Sequence, residues 1–333
     1  MHLPEELRCI DHAARLAENH GALICEHGCS VPIIRGIPRF VSSSNYAAGF
    51  GLQWNQFRKS QLDSYTRTTI SRDRLTHAAG GDLNILKDKS VLEVGCGAGR
   101  FTEVMLAAGA RVVACDLSTA VDANYANCGE HPNYFVFQAD VRALPVKQNA
   151  FDFVVCLGVI QHTPSPEETI TALARCVKPG GMLVIDHYGP WYPVTFSRRW
   201  LRRLLLRLPP ASAKSLALTL ARLLLPLHKL GWSESRAASR LRAQLQKFSP
   251  LVDYYDVYPQ LDKKILAEWS LLDTHDTLTD YYKHLRSVEE IERCLLACGL
   301  VDTETEYAGN GVEARARMPL AFASKTGNAT KTH

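Results

Sequence analysis

The amino-acid sequence predicts an α/β protein built on a seven-stranded, mostly parallel sheet with a terminal antiparallel hairpin. A small N-terminal ribbon and a helical insertion are added to that sheet. Three observations predict this. Between Ser90 and Asp186, short apolar runs alternate with helix-like segments, and strands joined by crossover helices make a parallel sheet covered on both faces. Near the end of the chain, two strand-like runs meet at an Asn-Gly step, a hairpin signal. Between these regions lies a stretch dense in Leu and Arg that reads as amphipathic helix.

The strands are taken in order. Ser90–Val94 is apolar and is followed at once by Gly95, Gly97 and Gly99. A helix from about Arg100 to Ala108 stops at Gly109. Arg111–Cys115 is the second strand, ending in Asp116, and Ser118 is the expected N-cap of the helix that follows. Tyr134–Phe137 is the third, ending at Asp140, and Phe151–Leu157 is a continuous apolar fourth. A helix from about Pro166 to Cys176 stops at Lys178-Pro179-Gly180-Gly181, before the fifth strand, Met182–Asp186. Ser287 and Glu290 form a capping box for a helix through Cys298, and Val301–Tyr307 and Val312–Ala316 supply the hairpin.

The chain divides into a ribbon-like module at 1–42, a helical connecting or lid region at 43–89 and the core at 90–190. A basic helical insertion at 191–262, a C-terminal part of the core at 263–318 and a disordered tail at 319–333 follow. With 46% hydrophobic and 22% charged residues, the composition is that of an ordinary globular protein. The start, MHLPEELRCI, has no apolar h-region of a signal peptide. Several of the ten cysteines, such as Cys96, Cys115, Cys156 and Cys176, sit in strand or helix runs as small hydrophobes. Both features point to a reducing, cytoplasmic compartment.

The strand ends carry the chemistry. Glycines let a nucleotide-like cofactor approach the backbone at the first strand–helix turn. Glu93 stands where an apolar residue is expected and can meet a cofactor ammonium group. Asp116 is placed to hydrogen-bond ribose hydroxyls, with Leu117 flanking an adenine. Asp140 is placed for the adenine amino group, with the Val141 N–H beside it, and Leu157 and Gly158 offer carbonyls. Each acid alone is explained equally well as a helix cap or a solvated strand end. Their recurrence at successive strand ends is not.

Val91-Leu92-Glu93-Val94-Gly95-Cys96-Gly97-Ala98-Gly99-Arg100-Phe101 resembles the first motif of the Rossmann-like class I S-adenosylmethionine (SAM) methyltransferases (methyltransferase type 11/12-like). Cys115-Asp116-Leu117-Ser118, Gln138-Ala139-Asp140, Phe151-Asp152-Phe153-Val154-Val155 and Val177-Lys178-Pro179-Gly180-Gly181 resemble the later motifs in order. The resemblance implies SAM as cofactor and methyl transfer as reaction. A nicotinamide oxidoreductase would space its last two glycines three apart, whereas Gly97 and Gly99 are two apart.

Methyl transfer to oxygen benefits from a general base. The candidates are His162 after the fourth strand, His187 after the fifth, and His275 in the polar cluster Asp273–Arg286, which is expected to form the acceptor wall. For the aromatic segment Phe50–Gln61, the alternatives are a packing helix or a lid that brings Tyr65 or Arg67 near the cofactor carboxylate.

Cys9-x2-His12 and Cys25-x3-Cys29 have the spacing of a tetrahedral zinc site. With Pro32–Phe40, they resemble the zinc-ribbon modules that precede some bacterial methyltransferases and the Trm112-like activators of tRNA methyltransferases. Those modules usually carry Cys where His12 stands. His27 is an alternative donor, and a ribbon kept for packing without metal is the other reading.

From Thr195 to Pro250, twelve Lys and Arg face one acid, Glu234, a local charge of +11 in a chain whose total is +4. The rest therefore carries −7. Such a segment fits a lid with solvated arginines, contact with an anionic membrane or a lipid- or glycan-linked acceptor, or nucleic acid. No aromatic stacking pattern favours RNA. The functional expectation is methyl transfer to a small-molecule or lipid- or glycan-linked acceptor, at oxygen. The alternatives are an RNA methyltransferase and a non-catalytic binding protein that retains the fold.

Overall fold

A computed structural model describes residues 3–320. The disordered tail expected from 319 on lies, from Ala321, outside the described residues. Four short strands, β1 (Leu16–Asn19), β2 (Ala22–Cys25), β3 (Ser30–Ile34) and β4 (Ile37–Pro38), form an antiparallel sheet in that order. Helices α1 (Ala48–Gln56), α2 (Asp63–Thr66) and α3 (Ile70–Ala78) lead from it to the core.

The core runs β5 (Ser90–Val94), α4 (Thr102–Ala107), β6 (Arg111–Asp116), α5 (Ala120–Cys128), β7 (Tyr134–Gln138), β8 (Phe151–Cys156), α6 (Pro166–Ala174) and β9 (Val177–Tyr188). Four helices follow: α7 (Phe196–Leu205), α8 (Pro210–Leu230), α9 (Arg236–Phe248) and α10 (Lys263–Thr279). Helix α11 (Val288–Ala297) and the hairpin β10 (Val301–Ala308) and β11 (Gly311–Arg317) complete the chain.

The seven strands lie in the order β10-β11-β9-β8-β5-β6-β7. Strands β5 to β9 are mutually parallel, while β11 pairs antiparallel with both β9 and β10. The period of two along each strand sorts the core. Leu92, Val113 and Val154 join one buried cluster, and Val91, Val112 and Val155 join the other, on the opposite face. From β5 the chain moves outward to β6 and β7, then returns to the other side of β5 as β8. Order therefore reverses between β5 and β8, and a crevice opens at their carboxyl ends, as in other open parallel sheets.

Three local readings differ from the sequence-based expectation. Ser118 is not the N-cap of α5, a place taken by Thr119. Its hydroxyl instead donates to Asp116 Oδ1 (2.7 Å) and accepts from Ala120 N (3.1 Å), so it serves the strand-end acid. Lys178–Gly181 does not stand before the fifth strand but inside β9, where the pairing with β8 shifts register between Phe151 and Phe153. The hairpin turn is Gly309-Asn310 rather than Asn-Gly, because Ala308 pairs with Gly311. The capping box of Ser287 and Glu290 is present on α11.

The segment from 263 opens with α10, before α11 and the hairpin. α10 packs with α7 and α8 through Leu205, Ala213, Ala217 and Leu278. Trp232, Leu251, Leu266 and Trp269 form a further buried cluster. His228 is buried between Asp253 (2.8 Å) and Ser249 (2.9 Å), which ties α8 to the segment after α9. No helix among the described residues is long and apolar enough to cross a membrane.

Candidate active site

A cavity of about 600 Å³ occupies the crevice between β5 and β8 and extends under α10 and the insertion. That volume is typical of small-molecule sites. At its inner end the β5 loop turns on Gly95, with φ +77°, where a Cβ would collide with Val159. A Cβ on Gly97, with φ +49°, would come within 3.3 Å of the Trp54 ring, so a side chain there would press on the α1 aromatic. Asp116 joins the lining with its carboxylate held by Gly97 N (3.0 Å) and Ser118 N (2.8 Å). Burial pushes its pKa up, against those donors.

Leu117, Ala139, Val141, Leu157 and Gly158 line the same end. The Asp140 side chain is not on the lining and turns to Arg142. Burial would raise its pKa, but the bonds from Arg142 outweigh that and hold it below the usual carboxylate range. Glu93 sits one layer behind the cavity. It is buried and bonded by Thr102 (2.5 Å), and burial pushes it up to about 8.

Two cations not selected as site residues from the sequence face this end. Arg74 of α3 pairs with Asp186, which also accepts from the Gly158 N–H at 2.5 Å. Arg100 donates to Ser71 (2.9 Å) and Gln61 (3.2 Å) and lies over the Phe101 and Trp269 rings. Arg74 Nε and Arg100 Nη2 are buried donors without a partner. Burial and the neighbouring Arg74 pull Arg100 down to about 10. Paired cations with free N–H groups are a seat for a carboxylate.

Tyr65 and Arg67 do not reach the cavity. Tyr65 is exposed and bonded to Glu268, and Arg67 is exposed in the left-handed turn that ends α2. From the connecting region it is Tyr46, Phe50, Gln53, Trp54, Gln61 and Arg74 that do.

Of the three candidate bases, only His162 lines the cavity. It ends the tight turn Ile160–His162 after β8. Its Nδ1 lies 3.1 Å from the Tyr282 carbonyl, which can only accept, so Nδ1 carries the proton and Nε2 keeps its lone pair. Burial, with help from Lys283, pulls its pKa down to about 3, so the ring is neutral at physiological pH. His187 faces the other way: it alternates with Asp186 and Tyr188 along β9, and those two turn toward the crevice. His275 bonds to Gln53 (2.5 Å) and Thr279 (3.3 Å), and it is absent from the lining because a helix carries it 200° from Asp273.

The outer half of the cavity is aromatic and acidic. Tyr188 stacks on Tyr192 with centroids 3.9 Å apart, and Tyr254, Tyr258 and Trp269 close the far wall. From α10, Asp273 and Asp276 enter it. Burial raises Asp273 to about 6 despite a hydrogen bond from Tyr254. Asp276 is raised well above its ordinary value by burial and by Asp280 and Asp273, and its Oδ1 has no partner. Asp280 instead binds Arg202 (2.6 Å) and Lys283 (3.0 Å). Of the other residues in that polar cluster, Tyr281 faces solvent.

Far from the cavity, Cys9, His12, Cys25 and Cys29 bring one donor atom each to within 4.8 Å of one another. His12 Nδ1 lies 3.8, 3.8 and 3.4 Å from the three sulfurs. His27 supplies no donor to the group and packs against the His12 ring at 4.5 Å.

Residues 92–185 match the family model described as a methyltransferase domain. Over 105 residues the chain is 36% identical to the ubiquinone biosynthesis O-methyltransferase of Dechloromonas aromatica, covering 30% of this chain and 45% of that protein. Over 131 residues it is 35% identical to the tRNA U34 carboxymethyltransferase of Cellvibrio japonicus, covering 38% and 39%. The chain thus spans less than half the length of these curated relatives. A SAM-dependent methyltransferase structure from Aquifex aeolicus superposes with a TM-score of 0.43 at 13% identity, over 82% of this chain and 98% of that one.

Proposed function

We propose that this chain transfers a methyl group from SAM to oxygen on a small-molecule or lipid- or glycan-linked acceptor. The observation that carries the reading is one cavity with two unlike halves, a glycine-turn crevice with the strand-end acid Asp116 and an aromatic, acidic chamber, with His162 lining the same cavity. When bound, SAM supplies a sulfonium methyl that is already strongly electrophilic. The residues fit that group: Asp116 would take the ribose hydroxyls, the Val141 N–H the adenine, and the unpartnered N–H groups of Arg74 and Arg100 the carboxylate. Glu93, one layer behind, favours the ammonium end, and Leu157 and Gly158 offer carbonyls to it.

In the acceptor half, Tyr188 and Tyr192 orient the acceptor by stacking and exclude water. Asp273 and Asp276 hold its polar groups. His162 accepts a hydrogen bond from the acceptor hydroxyl at Nε2 while its Nδ1–H stays on the Tyr282 carbonyl, and it takes the proton as the forming carbon–oxygen bond makes that oxygen strongly acidic. The relatives' names divide between ubiquinone biosynthesis and a tRNA, and the aromatic chamber favours the small acceptor.

The four-residue cluster near the N-terminus is proposed to hold a structural zinc. In a tetrahedral site, zinc–sulfur and zinc–nitrogen bonds of about 2.3 and 2.0 Å set donor separations of about 3.5–3.8 Å, close to those of His12.

Calorimetric titration with SAM and S-adenosylhomocysteine, beside an Asp116→Ala variant, tests the function. Hydrogen bonds to a charged group contribute about 1.5–3 kcal/mol, so the variant should bind about 10- to 100-fold more weakly. No binding by the native chain would move the non-catalytic scaffold reading to the front.

A further inference from the structure

The twelve cations of 195–250 divide by use. Arg198 donates to the Pro250 and Leu251 carbonyls, Arg202 binds Asp280, Lys214 donates to the Leu52 carbonyl, and Arg242 pairs with Asp256. These hold the insertion to the body. The remaining eight are exposed, and none of them enters an ion pair among the described residues. They include Arg199, Arg203 and Arg207 on and just past α7, and Arg222 and Lys229 on α8.

Apolar side chains share these outer faces. On α7, Phe196 (82% exposed), Trp200 and Leu204 recur every four residues. On α8, Leu216, Leu223 (74% exposed), Leu227 and Leu230 keep the spacing of one helical face. The opposite faces of both helices are the ones packed with α10. Each helix therefore turns an apolar stripe, flanked by unpaired cations, toward solvent.

The charge decides what covers it. A second copy joined face to face would set the exposed cations of α7 and α8 against their own counterparts. Nucleic acid would satisfy the cations but leave leucines, which do not stack on bases, in water. A bilayer with anionic headgroups satisfies both, because apolar side chains enter the acyl boundary while Arg and Lys reach the phosphates. We propose that the outer face of α7 and α8 docks on an anionic lipid bilayer. The same segment lines the cavity through Tyr192, Pro193, Arg198 and Gln246, whose chain neighbours Trp191 and Phe248 are exposed. Docking would set the acceptor chamber beside the lipid.

The inference stands independently of methyl transfer, since docking is read without cofactor. The full chain is co-sedimented with phosphatidylcholine vesicles, with and without phosphatidylglycerol. Several cations at the surface should strengthen partition onto the anionic vesicles by about tenfold or more, in a salt-sensitive manner, with a blue shift of tryptophan emission from Trp200. Arg199→Glu with Arg203→Glu should lose the charge-dependent part, and Phe196→Ser with Leu223→Ser should lose the blue shift. Both variants should keep the native far-ultraviolet circular dichroism and urea midpoint, which shows that they fold. Absent or charge-independent binding overturns the proposal. So does a dimer that Leu223→Ser dissolves, or retention by RNA with none by vesicles.

Discussion

His162 is selected from three histidines by backbone period, not by residue type. The sequence favours His162 over His187 as the base and puts His275 in the acceptor wall, and geometry separates the three. Along β9 the alternation that aims Asp186 at Arg74 necessarily aims His187 away. On α10 the 100° step that lets Asp273 and Asp276 enter the cavity sends His275 to Gln53. Both periods were legible in the sequence, but which face met the cavity was not. Arg74 and Arg100 were not legible as site residues, because their convergence is tertiary: α3 folds back over the β5 loop. General-base catalysis contributes about 10²- to 10⁴-fold, so His162→Gln should lower kcat by at least about 10²-fold. Cofactor affinity should hold within about threefold, because no part of the glycine-turn half touches the ring. Single-turnover kinetics beside calorimetry separates the two, and a parallel loss of both would make His162 a structural residue.

At the scale of elements, motifs with fixed local chemistry were legible in kind, while their exact places slipped at the N-cap of α5, at Lys178–Gly181 and at the hairpin turn. The glycine turn, the strand-end acids and the capping box of α11 are each set by neighbours within a few residues. The ribbon is a harder case, since its stability depends on donors that two hairpin-like segments must bring together. The structure does bring Cys9, His12, Cys25 and Cys29 together. The ribbon meets the body along the β7 edge, where Arg39 reaches Asp122 (2.6 Å) and Gln138 (3.2 Å), and Glu6 pairs with Arg111. Gln138 and Asn45 in turn both donate to the Leu117 carbonyl (2.8 and 3.0 Å), beside the cavity. Purified protein should therefore contain one zinc per chain by elemental analysis. Because metal binding to such a site is folding free energy, Cys29→Ala should cost about 2 kcal/mol or more and lower Tm by about 5 °C. It should also weaken cofactor binding a few-fold through Leu117. Metal-free protein whose melting ignores a chelator would leave the ribbon as packing alone.

At the scale of the whole molecule, one crevice concentrates ionisable groups that burial has shifted in opposite ways, and stability should carry both signs with pH. His162 and His275 are pulled down to about 3 and about 4 by burial. The unfolded chain, with histidines near 6.5, then binds more protons than the native one between those values. Their contribution is complete above pH 6.5 and is lost as pH falls toward 4 and 3. Glu93 and Asp273 are pushed up to about 8 and about 6, against ordinary values of 4.5 and 3.8. For them the native state holds the extra proton, so their contribution is complete at low pH and is lost as pH rises through 6 and then 8. Asp116 and Asp276 are shifted in the same direction. Above pH 6.5 the histidines no longer change, and the raised carboxyls alone set the slope. Urea midpoints measured from pH 6.5 to 9 should therefore decline along an alkaline limb toward pH 8. Glu93→Gln, which keeps a neutral group of the same shape on Thr102, should flatten the alkaline limb. Saturating SAM should also lift the alkaline limb, because a cation beside the crevice favours the ionised carboxylates that the empty site penalises. A midpoint that climbs steadily to pH 8 would mean that these carboxyls are already ionised and that the cavity is far more hydrated than its lining implies.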